Sequence, residues 1–197
     1  NLMISTVTPR PIALVSTRSA AGVDNVAPFS YFGAVAHDPP MLAIGFCRKN
    51  GTQQKDSLVN LLEQKQCAVA IMSEWYLDAA NHACGNFASD INEFEASGLT
   101  PVNDLQVVQC ARVGQAAITY ECTLEHVYPV SNEQGQATTD IVLVRIVRIH
   151  VDDHVLLKSS DPTKPAVDTA QLKPIGRLGG NIYTSLGDMV DIPRPRV

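Results

Sequence analysis

The sequence predicts a mainly β fold with α insertions, arranged as a closed or nearly closed Greek-key β-barrel. Three observations carry that expectation. Short, nearly unbroken apolar runs bounded by turn residues recur at 11–17 (PIALVST), 41–46 (MLAIGF) and 67–72 (CAVAIM), the pattern of strands buried on both faces. At 117–127 the pattern changes to alternation: Ile118, Tyr120, Cys122 and Leu124 interleave with Thr119, Glu121, Thr123 and Glu125, which marks a strand with one wet face. Helical spacing is confined to three short stretches, so helices are excursions from a sheet.

In chain order, PIALVST is the first buried strand. The next stretch, NVAPFSYFGAVAHDPP (25–40), crowds Phe29, Tyr31 and Phe32 around Ser30 behind Pro28, and the Asp38-Pro39-Pro40 run predicts an extended exit. After the second strand, Leu58, Leu61 and Leu62 repeat at helical spacing in a helix over 57–65, with Asp56 expected as its N-cap. The third strand is followed by helices over 76–87 and 91–98, the latter stopped by Gly98. DIVLVRIVRIHV (140–151) follows a turn cluster at 131–135 and therefore pairs with 117–127 as a long hairpin. Beyond Met189, the prolines of VDIPRPRV exclude helix and central strand and predict an extended arm.

The 197 residues suit a single domain spanning 1–197, with no internal repeat or low-complexity tract. Hydrophobic residues reach 45% against 18% charged, and mean hydropathy is +0.02, an apolar balance that predicts a homo-oligomer. A net charge of -5 with scattered basic residues argues against nucleic acid. No apolar run approaches the roughly 20 residues that span a bilayer and no leader-like segment opens the chain, so the expectation is a cytoplasmic protein without membrane contact. Cys47, Cys67, Cys84, Cys110 and Cys122 form no CxxC and leave one over, as reduced structural thiols do.

Three stretches can carry chemistry. Arg48, Lys49, Thr52, Lys55 and Ser57 make a basic, hydroxyl-rich loop running into a helix start. It reads either as a solvated loop with a capped helix or as a wrap for a phosphate. The 25–40 segment is either an aromatic packing corner or a rigid backbone wall for a flat polar heterocycle. In PIGRLGGNIYTS (174–185), Gly176, Gly179 and Gly180 do not spell GxGxxG, so the segment is a surface turn or a loop that closes over a ligand with Arg177, Asn181 and Tyr183. GxSxG is absent, and His150 and His154 flank Asp152-Asp153 at a strand end where two imidazoles do not converge, so no metal site is expected.

Taken together, TPRPIALVST (8–17), NVAPFSYF (25–32), DPP (38–40), KDS (55–57) and PIGRLGGNIY (174–183) resemble the flavin reductase-like family, whose members share the FMN-binding split barrel. The resemblance covers Thr8 to Tyr183. It implies a Greek-key split β-barrel, homodimeric and flavoredoxin-like, with FMN at the subunit interface. It also implies hydride transfer from NADH or NADPH to flavin and onward to a small-molecule acceptor or a partner monooxygenase. The alternative is an FMN-binding electron-transfer or flavin-storage protein without NAD(P)H activity of its own.

Position by position, the resemblance implies that Ala27, Pro28, Phe29, Ser30, Tyr31 and Phe32 lie along the isoalloxazine ring, chiefly through backbone groups. Arg48, Thr52, Lys55, Asp56 and Ser57 would hold the phosphate, and Asn81 would reach the flavin. Arg177 and Tyr183 would contact substrate or the second subunit. Serine in KDS stands where the family commonly has threonine, which keeps the hydroxyl. No protein acid, base or nucleophile is required, because the reaction is carried by flavin N5.

Overall fold

The computed structural model describes residues 2–158, 161 and 163–195. A short helix α1 (Leu2–Thr6) and strand β1 (Arg10–Pro11) lead into β2 (Ala13–Arg18), β3 (Asp24–Phe29), β4 (Phe32–His37) and β5 (Pro40–Cys47). Helix α2 (Asp56–Gln64) separates β5 from β6 (Gln66–Ile71), and α3 (Leu77–His82) and α4 (Glu93–Ser97) follow. A two-strand ribbon, β7 (Pro101–Val102) and β8 (Arg112–Val113), precedes the long hairpin of β9 (Ile118–Ser131) and β10 (Ala137–Val151). The chain ends with α5 (Thr169–Leu172), β11 (Gly176–Arg177) and β12 (Tyr183–Thr184), the two strands joining β1 in a small sheet.

The main sheet has seven strands in the order β3-β2-β6-β9-β10-β5-β4, with every pairing antiparallel. Its two edges, β3 and β4, are consecutive in the chain and separated only by Ser30 and Tyr31. Two residues cannot cross a flat sheet of seven strands, each about 4.8 Å apart. The sheet must therefore roll until its edges meet at the aromatic corner, where the chain closes the barrel without a hydrogen-bonded ladder between the edge strands.

Inside the roll, Ala13, Val15, Phe29, Ile44, Phe46, Val69, Cys122 and Val142 pack together, and Leu58 and Leu61 of α2 plug one end. On the outer face of β2 and β6, Leu14, Ala70 and Met72 pack with Tyr76, Ala80 and Phe94 from the α3–α4 region. Burial on both faces explains why 11–17 and 67–72 read as unbroken apolar runs.

Four expectations need correction. In β5 only Leu42, Ile44 and Phe46 are buried, while Met41, Ala43 and Gly45 are half-exposed, because no helix among the described residues packs on the outer face there. The first half of β9 is not wet: Thr119 and Glu121 are buried. Glu121 accepts the amides of Gln106, Val107 and Val108 at 3.1, 2.5 and 2.8 Å, so the 103–110 segment lies over that face, and alternation with an exposed side begins only past Leu124. The Asp38-Pro39 run is not an extended exit but a tight hairpin turn with a cis peptide bond, pairing His37 with Pro40. The helix read over 76–87 spans only Leu77–His82, ending before the Cys84-Gly85-Asn86 turn.

The sequence reading does not include α1, α5, the β7–β8 ribbon or the strands β3, β4, β11 and β12, and the helix read over 91–98 spans Glu93–Ser97 as α4. Asn92 caps α4 by accepting from the Phe94 amide, and Gly98 ends it at φ 74°, the left-handed conformation that a β-carbon disfavours. Residues 190–195 have neither helix nor strand and are exposed, while Arg196 and Val197 of the predicted arm lie outside the described residues. All five cysteines are free thiols, with Cys67, Cys110 and Cys122 buried. Among the described residues no helix is long and apolar enough to cross a membrane.

Candidate functional site

The loop after β5 reverses through Asn50 and Gly51, both with positive φ, and is tied across itself by reciprocal amide bonds between Lys49 and Gln53. This delivers Lys55, not Asp56, to the N-cap of α2, in extended geometry and with no side-chain cap. Asp56 is instead the first helical residue and pairs with Lys49 at 3.0 Å. First-turn amides of a helix have no intrahelical acceptor. Here the Leu58 amide turns back to the Lys55 carbonyl at 2.9 Å, which leaves those of Asp56 and Ser57, two residues that line a cleft of about 70 Å³ with Asn25, Lys55, Cys84 and Asn86, among others. The Lys55 ammonium lies 5.5 Å from the centroid of the Phe29 ring and, among the described residues, has no carboxylate partner.

Glu93 also lines this cleft. It is buried, and its Oε2 accepts the Val26 amide at 2.9 Å. Burial pushes its carboxyl up to about 7, with Asp56 adding to the rise and the Val26 amide opposing it.

A second cavity of about 280 Å³ opens beside the first. Ser30 and Tyr31 from the barrel seam form one wall, Arg177, Leu178 and Tyr183 from the glycine-rich hairpin another, and Arg10 lies between them. Tyr183 donates to the Asn81 carboxamide oxygen at 2.7 Å, and the Arg177 guanidinium sits over the Tyr183 ring at 4.4 Å. Pro28 and Cys84 line both cavities, so the two adjoin at these residues as the helix end and the corner end of a bipartite groove.

Predicted residues distribute unevenly along it. Ala27, Pro28, Lys55, Asp56 and Ser57 line the helix end, and Pro28, Ser30, Tyr31, Arg177 and Tyr183 the corner end. Asn81 is one step back, holding Tyr183. Phe29 and Phe32 turn into the barrel interior, Phe29 against Phe46 with ring centroids 4.4 Å apart. Arg48 is engaged elsewhere, in a two-pronged pair with buried Asp140 at 2.8 Å on each arm. Thr52 is exposed on the loop, its amide donating to the Lys49 carbonyl at 3.2 Å and its carbonyl accepting from Arg48 at 3.3 Å. The Ser57 hydroxyl donates to Asn25 at 2.7 Å within a buried set that includes Thr17 and Asn60.

Sequence reasoning missed Asn25, Cys84, Asn86 and Glu93 at the helix end and Arg10 at the corner. Arg10 had a signal, since an arginine between two prolines in TPRP has no place in a buried strand unless its charge is used. Glu93 and Cys84 had none, because only the packing of the α3–α4 region on the barrel brings them to the groove.

The sequence pattern of the flavin reductase like domain matches residues 4–164, most of the chain. The chain belongs to the flavin reductase-like family. Among solved structures, nitrilotriacetate monooxygenase component B from Bacillus cereus superposes with a TM-score of 0.89 at 34% identity, covering 97% of this chain and 91% of that one. The 2-nitrobenzoate 2-nitroreductase NbaA of Pseudomonas fluorescens gives 0.84 at 29% identity, with 98% and 89% covered. A Shewanella frigidimarina protein with a split barrel domain gives 0.82 at 17% identity, with 98% and 90% covered, a likeness of fold alone. The rolled seven-stranded sheet is thus the split barrel of this family.

Proposed function

We propose that this flavin reductase-like chain is an FMN-dependent oxidoreductase that takes hydride from NADH or NADPH and passes the electrons to a second acceptor. The observation that carries the reading is that the two cavities adjoin at Pro28 and Cys84. One end offers what a phosphate monoester requires, an ammonium without a carboxylate partner among the described residues, and helix amides. The other offers what a flat heterocycle requires, a rigid backbone at the barrel seam facing aromatic and guanidinium groups.

When bound, the flavin supplies the hydride acceptor and the electron donor, so the protein binds, orients and shields. Lys55 and the α2 amides hold the phosphate. Ser30 and Tyr31, fixed by the two-residue crossing from β3 to β4, orient the ring. The hairpin bearing Arg177 and Tyr183, buttressed by Asn81, limits water on the corner side. A second copy of the chain is part of the reading: the uncovered outer face of β5 with Met41 and Ala43, together with exposed Val35 on β4, leaves an apolar strip beside the seam.

For the second acceptor, the relatives' own descriptions favour either a partner monooxygenase or a nitroaromatic acid. The test is an anaerobic titration of the purified protein, first with FMN and riboflavin, then with NADH and NADPH. The reading expects FMN to bind more tightly than riboflavin and its visible band to bleach with one of the nucleotides. Absence of FMN binding overturns it, and binding without bleaching by either nucleotide leaves an FMN electron carrier.

A further inference from the structure

Arg10 is 8% exposed. Its Nη1 donates to the carbonyls of Ile4 and Val7 at 2.5 and 2.9 Å, its Nη2 to the carbonyl of Leu178 at 2.9 Å, and its Nε to the Ser30 hydroxyl at 3.4 Å. Every acceptor is neutral. Among the described residues no carboxylate lies within ion-pair distance, in contrast to Arg18, Arg48, Arg112 and Arg145, each of which has one. A guanidinium withdrawn from water without a counter-charge is costly, and four dipoles offset that cost only in part.

The charge also has a direction. The cavity that Arg10 lines includes a second guanidinium, Arg177, and no aspartate or glutamate, while Ile4, Ile12 and Leu178 lower the local dielectric around it. The three segments that Arg10 ties together, the end of α1, the seam at Ser30 and the glycine-rich hairpin at Leu178, are three walls of that cavity. One side chain therefore ties three walls of the corner end together and adds its charge to that of Arg177.

We propose that Arg10 is a positioning residue that holds these walls and supplies a standing positive charge favouring a ring that gains negative charge in the cavity. The inference rests on the FMN reading. A hydride brings two electrons and one proton to the ring, forms the N5–H bond and leaves one negative charge spread over N1 and the C2 carbonyl. A resident cation stabilises that form over the oxidised, neutral ring, and so raises the two-electron midpoint potential.

The experiment is a midpoint potential measurement on FMN-loaded wild type, Arg10→Met and Arg10→Lys, with FMN affinity of the oxidised forms measured alongside. Arg10→Met is expected to lose at least about tenfold in preference for reduced over oxidised flavin, about 30 mV for a two-electron couple, and Arg10→Lys to recover most of it. If Arg10→Met does not fold, Arg10→Gln, which keeps donors but no charge, takes its place with the same expectation. A purely structural role weakens oxidised and reduced flavin equally and leaves the potential where it was, which overturns the proposal while FMN binding itself stands. Failure of the wild type to bind FMN overturns this inference together with the reading beneath it.

Discussion

The hydroxyl of Ser57, at the first turn of α2, donates to the side-chain oxygen of Asn25 on β3 at 2.7 Å. This bond pins the helix that opens one end of the groove to the strand that leads to the other end. It also occupies the hydroxyl that the sequence offers as a phosphate ligand. Lys49, which also lines the cleft, is paired with Asp56, so the phosphate is placed on Lys55 and the amides of Asp56 and Ser57.

Lys55→Ala is expected to weaken FMN binding by roughly 1.5 to 3 kcal/mol, the scale of a hydrogen bond to a charged group, while riboflavin, without phosphate, is hardly affected. Arg48→Ala serves as the contrast. It leaves Asp140 buried without its partner, so it lowers the melting temperature and keeps the FMN-to-riboflavin affinity ratio unchanged. Titration calorimetry with both ligands separates the cases, and equal losses for the two ligands in Lys55→Ala remove it from the phosphate end.

Gly45 tests the corner end. Its amide donates to the Tyr31 carbonyl at 2.7 Å, and a β-carbon at Gly45 would stand 2.9 Å from the Tyr31 β-carbon. Gly45→Ala must move the Tyr31 segment, at a cost of about 1 to 3 kcal/mol for overpacking. FMN and riboflavin are expected to weaken together, the opposite of the Lys55 pattern. Unchanged affinity for both would separate Tyr31 from the ring.

Glu93 gives a pH signature. Burial raises its carboxyl above the ordinary carboxylate range, to about 7. Between the ordinary value and about 7 the folded chain holds a proton that the unfolded chain has released, so stability falls as pH rises through that window and is level above it. Glu93→Gln can still accept the Val26 amide and carries no charge. Its stability relative to wild type is expected to grow across the same window in denaturant titrations, and a pH-independent difference contradicts the assignment.

Glu121 gives the reverse. Burial pushes its carboxyl up, but His150 at 2.6 Å and three backbone amides pull it further down, leaving it below the ordinary value. Its stabilising contribution is therefore present above the unfolded value and is lost as pH falls through the depressed one. Glu121→Ala orphans the amides of Gln106, Val107 and Val108 and is expected to cost at least about 3 kcal/mol, given about 1 to 3 per unsatisfied buried group. A loss under about 1 kcal/mol in urea unfolding would mean that the 103–110 segment finds other partners.

What the sequence made legible follows its local physics. Periodicity exposed β2, β6 and the long hairpin, and the leucine spacing exposed α2, because each pattern is set by burial within the element itself. Thr119 and Glu121 look wet in sequence because the segment that covers them arrives from elsewhere in the chain. The same holds at the site. Lys55 and Ser30–Tyr31 could be read from helix-start and aromatic-corner chemistry, whereas the pairing of Arg48 with Asp140 and the arrival of Glu93 and Cys84 depend on packing across the barrel. Asp56 has the chemistry of a cap but enters the helix instead, since the loop reversal at Asn50 and Gly51 delivers Lys55 to the cap position.

A structure of the protein crystallised with FMN tests the central claim most directly. The account predicts the phosphate within about 2.7 to 2.9 Å of the Lys55 ammonium or the first amides of α2, with the ring past Pro28 and Cys84 against Ser30 and Tyr31. A flavin bound elsewhere, with the groove left to solvent, would contradict it.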